Sequence, residues 1–324
     1  MRFLSFLAAF GLFLLAPCTL SAAPQVPADV VFGQTCYLRD SVAITLESAK
    51  YSVERVNIGT ATYFPQAGEK LLILHFRVQN PGKDTLSFDA GTVPFSDIDA
   101  AGVTHKSVQD VGLEPTHETA EFDLKPGETK DNLYSVVITS AVGQDSALLI
   151  EAGRQGIEEE FLRCPLAGKV LPLPAPFANS SDRSGATALR SISASAGVFY
   201  PLALLNARLH SFSYTMHPLG GSVPDEGQRY FTAIFTVQNK SADKHGISGM
   251  NFAPVLRDTS GKSVEYNQTL LQPAADVSGD VVLNAGAEVS VRFFWSLPIA
   301  GRVQTLSLTE GLSRSYVFDV AGAK

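Results

Sequence analysis

The chain has little of what most active sites are made from. Its 324 residues include three cysteines, one tryptophan and six histidines. No CxxC, HxH or HExxH occurs, which removes the usual redox and zinc signatures. Neither GxSxG nor GxGxxG is present, so no nucleophile elbow or dinucleotide loop is announced. Gly261-Lys262-Ser263 ends like a phosphate-binding loop, but Leu256 stands where its first glycine belongs. Basic charge is also short. Lys plus Arg number 25 against 32 Asp plus Glu, a net charge of −7, which argues against a nucleic-acid surface. Helical periodicity is weak throughout. With 26 Gly, 18 Pro and 45 % hydrophobics, the chain is neither collagen-like nor disordered.

Long apolar runs are missing too, except at the start. Arg2 precedes an apolar stretch from Phe3 to Ala16, and small residues Ser21-Ala22-Ala23 follow. This is the pattern of a secretory signal peptide over residues 1–23, too short for a membrane-spanning helix. No later run could span a bilayer, so an exported protein, periplasmic or extracellular, is expected. Cys18 ends the run in Leu15-Ala16-Pro17-Cys18. Pro17 occupies the place where a lipoprotein box has a small residue, so Cys18 is expected to leave with the leader and not to carry a lipid anchor. Cys36 and Cys164 remain. In an exported chain two cysteines favour one disulfide, here tying the first strand to the exit of the first domain, although spacing alone does not pair them.

A repeat sets the architecture. Residues 68–80 read GEKLLILHFRVQN and residues 227–239 read GQRYFTAIFTVQN, an offset of 159. The same offset matches Asp99 to Asp258, Gly102 to Gly261, Leu124 to Leu283, Gly127 to Gly286 and Glu151 to Glu310. Two copies of one domain account for this. Within each copy the pattern has period two. Leu72, Leu74, Phe76 and Val78 form one face, and Leu71, Ile73, His75 and Arg77 the other. Phe231, Ala233, Phe235 and Val237 repeat the inner set. Such alternation puts one face in a core and one in water, as in a sandwich. Asp99 to Gly102 and Asp258 to Gly261 are matched tight turns, and Lys125-Pro126-Gly127 is another. Asp97 to Gly102 is a turn and not a calcium loop, since Ala101 and Val108 replace oxygen ligands.

The expected fold class is therefore all-β: two tandem immunoglobulin-like β-sandwich domains, residues 27–168 and 199–324. A Pro/Ser-rich linker, 169–198, joins them. Its proline part should be stiff and its Ser/Gly part flexible.

The pattern of Gly68, Val78-Gln79-Asn80, Asp99, Gly102 and Leu124-Lys125-Pro126-Gly127-Glu128 resembles a family of bacterial exported immunoglobulin-like domains of unknown function. That family is related to a mycobacterial secreted immunoprotective antigen. The second copy matches with Gly227, Val237-Gln238-Asn239, Asp258, Gly261, Leu283 and Gly286, without the proline. The resemblance covers about 84 residues per copy. It implies an extracytoplasmic interaction module and carries no catalytic residue across.

Charge divides unevenly between the copies. Residues 27–168 hold 11 basic and 21 acidic side chains, whereas residues 199–324 hold 10 of each. Asp110, Glu114, Glu118, Glu121, Asp123, Glu128 and Asp131 concentrate in one stretch. They form a candidate docking surface for a cationic partner. The six histidines (His75, His105, His117, His210, His217 and His245) are read as surface or structural. No catalytic residue, metal ligand or cofactor is expected. The functional expectation is a non-catalytic exported binding module of the bacterial cell envelope, with a protein or other envelope component as partner. A structural or assembly subunit is the alternative, and a metal-binding or hydrolytic protein comes third.

Overall fold

The computed structural model describes residues 29–38, 42–151, 161–178 and 189–324. The leader, Cys18 and most of the Ser/Gly part of the 169–198 segment lie outside them. Among the described residues the chain is all-β, with a single turn of 3-10 helix at Gly249–Asn251. Among these residues no helix is long and apolar enough to cross a membrane.

Thirteen strands precede residue 178. They are β1 (Thr35–Tyr37), β2 (Ala43–Ser52), β3 (Val56–Ile58), β4 (Ala61–Tyr63), β5 (Glu69–Gln79) and β6 (Leu86–Phe88). After these come β7 (Phe95–Ile98), β8 (Thr104–Leu113), β9 (Phe122–Leu124), β10 (Thr129–Ser140), β11 (Ala147–Glu151), β12 (Phe161–Pro165) and β13 (Val170–Leu171). The main sheet runs β1-β2-β5-β10-β8-β7-β11-β12. Strand β8 folds it into two layers, because residues 107–113 pair with β10 and residues 104–106 with β7. Leu72, Leu74, Phe76 and Val78 are all buried between the layers against Phe95, Leu148 and Ile150. Each such side chain contributes roughly 1.5–3 kcal/mol.

The second half has β14 (Ser191–Ala194), β15 (Tyr200–Pro201), β16 (Asn206–Thr215), β17 (Gln228–Gln238), β18 (His245–Ile247), β19 (Val255–Asp258) and β20 (Ser263–Val264). It continues with β21 (Leu271–Gln272), β22 (Val277–Ser278), β23 (Val281–Leu283), β24 (Glu288–Pro298), β25 (Val303–Leu308) and β26 (Ser315–Asp319). One sheet is β14-β26-β25-β19-β20 and the other β15-β16-β17-β24-β21-β22. Phe231, Ala233, Phe235 and Val237 are buried with Phe293, Trp295, Leu306 and Phe318.

The matched sequence motifs make matched bonds. Asn80 Nδ2 donates to Asp84 O and Leu124 O, both at 2.8 Å. Asn239 Nδ2 donates to Asp243 O at 2.6 Å and Leu283 O at 3.1 Å, the same places 159 residues on. Asp99 Oδ1 accepts the Ala101 and Val103 amides, and Asp258 Oδ1 accepts those of Ser260 and Lys262. Gly102 and Gly261 close these turns at φ +82° and +83°, backbone that favours glycine.

Two expectations change. The first half of the outer face of β5 is not in water: Leu71 and Ile73 are buried, because the β3–β4 hairpin lays Ile58 and Val56 over them beside Tyr134 and Val136, while His75 is half-buried and Arg77 exposed as expected. At the corresponding place in the second half, Leu219, Leu271 and Phe294 cover Tyr230. The 169–198 segment is not a free connector in its described residues. β13 pairs parallel with β2 and β14 parallel with β26, while Leu173, Phe177 and Leu189 enter the core. The apolar residues spaced among its prolines are what make that packing possible.

Between the halves lies a polar joint. Arg314 is 1 % exposed. Its guanidinium donates to four backbone carbonyls: Leu189 (3.2 Å), Val53 (3.2 Å), Gln66 (3.4 Å) and Glu69 (2.9 Å). Arg55 reaches the other way, to Ala203 O (3.3 Å), Leu205 O (2.6 Å) and Asn206 Oδ1 (2.8 Å). Burial holds both guanidinium groups below their ordinary basicity. Buried Glu310 accepts the Leu204 and Leu205 amides at 2.9 and 3.2 Å.

Candidate functional site

Concave regions among the described residues include one of about 560 Å³ that runs beside β7 and β8 and is lined by Asp89, Lys106, Asp110, Glu121 and Glu151 among others. A second groove of about 430 Å³ adjoins it, lined by Asp89, Phe88, Glu121, Phe122 and Asp123. Asp89 and Glu121 belong to both, so the two form one acidic channel. Glu121 immediately precedes β9 and Asp123 is its central residue, while Phe122 between them stacks on Phe88, ring centroids 4.9 Å apart. The Tyr63 hydroxyl donates to Asp110 Oδ2, which aims that carboxylate along the groove wall and raises the phenol above its ordinary pKa, burial being the larger cause.

The sequence cluster is therefore divided. Asp110, Glu121 and Asp123 come together, joined by Asp89 and Glu151 from other parts of the chain. Glu114 lies elsewhere, 3.7 Å from His75 Nδ1. Glu118 accepts from Thr116 Oγ1, Glu128 caps the 125–128 turn through the Lys125 amide at 2.8 Å, and Asp131 is exposed.

The third region, about 290 Å³, lies at the joint. Lys50, Arg55, Glu114, His117 and Tyr134 line it from the first half, with Asn206 and Lys240 from the second. The Tyr134 hydroxyl donates to Asn57 O at 2.7 Å and therefore accepts from His117 Nδ1 at 2.8 Å. The proton of neutral His117 thus sits on Nδ1, leaving Nε2 as acceptor. Burial pushes the Tyr134 phenol up to about 12, with Glu114 adding to it. A Cβ on Gly112 would stand 2.3 Å from the Tyr134 ring, so glycine is what lets that ring cross β8.

Beneath the outer surface is a buried ionic cluster that sequence reading missed. Lys70, Asp97 and Asp145 are each 0 % exposed. Lys70 Nζ lies 3.9 Å from Asp145 Oδ1, 4.1 Å from the Tyr51 ring centroid and 2.5 Å from Gly143 O, to which it donates. Thr139 Oγ1 stands 2.9 Å from Asp97 Oδ2 and 3.2 Å from Asp145 Oδ1. Burial, then repulsion from Asp145, pushes the Asp97 carboxyl up to about 7. The available signal was the repeat: Lys70 and Arg229 put a basic residue at the same strand position in both halves. Nearby, burial works against ionised Asp99, but bonds from His105 (3.0 Å) and the Val103 and Ala101 amides win, and its carboxyl sits below the ordinary range.

Cys36 and Cys164 are free thiols, so the expected disulfide is not formed in this structure. Cys164 is fully buried, and burial together with the adjacent Cys36 pushes it up to about 11. No group of three or more His, Cys, Asp or Glu is placed to hold a metal among the described residues.

No protein-family model matches the chain, and no curated protein matches it. Among solved structures it is similar to an uncharacterized β-sandwich protein of Clostridium difficile 630. That match has 13 % identity and a TM-score of 0.30, and covers 40 % of this chain and 94 % of that one. It is also similar to the yjhA protein of Bacillus subtilis, at 15 % identity and a TM-score of 0.28, covering 39 % of this chain and 97 % of that one.

Proposed function

We propose that this protein is an exported, non-catalytic binding module of the bacterial cell envelope. It consists of two copies of an immunoglobulin-like sandwich and docks a cationic partner in the acidic channel of the first. The matched Asn80/Asn239 and Asp99/Asp258 bonding supports the two copies. The apolar run over residues 3–16 supports export. The observation that carries the docking reading is the convergence of Asp89, Asp110, Glu121, Asp123 and Glu151 on two adjoining grooves, with Lys106 the basic side chain on their walls. Like charges held together raise the local potential and steer an opposite charge toward it.

The test is titration of a lysine-rich peptide into the mature protein at rising salt. Affinity should fall roughly tenfold or more between low and moderate salt, because exposed charges are screened. Glu121→Gln with Asp123→Asn should weaken it further, whereas Asp225→Asn with Glu226→Gln in the second half should not. Equal loss from both pairs would leave only nonspecific charge attraction and sink the docking reading.

A further inference from the structure

The Lys70, Asp97 and Asp145 cluster does more than fill space. One ammonium and two carboxyl groups lie in the core with no exposure to solvent: Lys70 Nζ stands 3.9 Å from Asp145 Oδ1, and Asp97 is linked to Asp145 through Thr139. Strand β10 pairs with β5 so that Thr139 stands opposite Lys70, which brings the 141–146 segment and its Asp145 against the lysine. Asp97 reaches the same point from β7, in the facing layer, where it pairs with Leu148. The three residues thus meet from three separate elements inside one core.

The two carboxyl groups are tied together by one hydroxyl. Thr139 Oγ1 lies within donating distance of both Asp97 Oδ2 and Asp145 Oδ1. Tyr51 fixes Asp145 by accepting its amide at 3.0 Å. Tyr51 also bonds the Asp145 carboxyl, whereas Asp97 Oδ1 is buried with no hydrogen-bond partner. An amine, a carboxyl to receive it and a second carboxyl able to carry a proton, all sealed from water, are the components of amide formation. Exclusion of water also protects the product from hydrolysis.

We propose that Lys70 and Asp145 join in an intramolecular amide, made by the folded chain on itself with Asp97 as the proton carrier. The Lys70 Nζ to Asp145 Cγ bond forms and one Cγ–O bond breaks. Nζ gives up two protons, and both depart with the released oxygen as water. Asp97, tied to Asp145 by Thr139, carries a proton to the departing oxygen and is restored by a proton that the amine releases, so it ends unchanged. Ammonium and carboxylate become amide and one water, nothing is oxidised or reduced, and no co-reactant is required. The second half serves as an internal contrast. Arg229, Leu256 and Gln304 stand where Lys70, Asp97 and Asp145 would be. Arg229 instead lies 3.5 Å over the Tyr214 ring and donates to Gly301 O at 2.7 Å.

Intact mass of the reduced, denatured mature chain decides the matter. The wild type should be ~18 Da lighter than its sequence, the mass of one water. Trypsin should fail to cut after Lys70, and the joined peptide should contain Lys70 and Asp145. Asp145→Asn should reach the same final mass by losing ammonia in place of water. Lys70→Arg should stay at full mass. Asp97→Asn, shown to be folded by its far-ultraviolet circular dichroism, should also stay at full mass. A wild-type chain at full mass that trypsin cuts after Lys70 overturns the proposal, as does a cross-link mapped to other residues. A cross-link that forms at the wild-type level in Asp97→Asn removes Asp97 from the reaction.

Discussion

Arg314 donates to the backbone carbonyl of Glu69 at 2.9 Å, across 245 positions of sequence. Three further backbone carbonyls accept from it, and among the described residues it makes no direct salt bridge, the Glu69 carboxylate and the Tyr316 hydroxyl only supporting its charge. Replacing it by Ala leaves buried acceptors at Leu189, Val53 and Gln66 without donors. Arg314→Ala should lower stability by about 3–5 kcal/mol, the range for breaking a buried charged network. Scanning calorimetry should then resolve one unfolding transition into two, because the joint couples the halves.

Asp97 provides a pH dependence with a defined direction. Its folded carboxyl titrates at about 7, above the ordinary value of 3.8, so the folded state holds a proton that the unfolded chain gives up. Stability from this group is full below about pH 4, falls as pH rises, and levels off above about pH 7. The groups facing it are Asp145, Thr139, His105 and Asp99, with Lys70 and Tyr51 one contact further. In the Lys70→Arg background, where no cross-link forms, Asp97→Asn should leave stability near pH 4 almost unchanged and raise it at pH 8, by on the order of 2–4 kcal/mol. Urea midpoints at the two pH values give the comparison, and a gain confined to pH 4 would contradict the assignment.

Asn80 and Asn239 offer a paired measurement. Each is buried and fastens two carbonyls near the end of its strand. Either substitution by Ala should cost about 2–4 kcal/mol, because two buried acceptors lose their donors together. The double variant should be additive, since the sites lie in different halves. A strong departure from additivity in denaturant titrations would count against equivalent roles.

Thiol labelling distinguishes the cysteines. Cys36 is half-buried, while Cys164 is fully buried with its thiol raised to about 11. The native mature chain at pH 8 should react at Cys36 and spare Cys164, and both should react once urea unfolds it. Absence of any reaction before reduction would mean that the pair is oxidised in the purified protein.

The strands were legible because the chain repeats itself. The Val-Gln-Asn string marked the ends of β5 and β17, and the Asp-to-Gly turns formed as their spacing implied. Coverage of the outer faces was not legible. Leu71 and Ile73 belong to a continuous apolar run, and alternation alone does not say that a hairpin will lie over one side. Arg314 carried no signal either, since its partners are carbonyls, which every residue has. Seven acids close in sequence suggested one surface. A strand, a turn and a short bridge between layers instead send Glu114 to the joint and bring Asp89 and Glu151 into the channel from afar.

The parallel pairing of β14 with β26 has a mechanical consequence. Residues 191–194 lie beside residues 315–318, one strand entering the second half and the other leaving it. Tension applied through those two ends pulls parallel strands lengthwise past each other. All their hydrogen bonds are then loaded together in shear, where an antiparallel pair pulled from one end would open one bond at a time. The second half therefore resists stretching most strongly along the line from its entrance to its C-terminal strand.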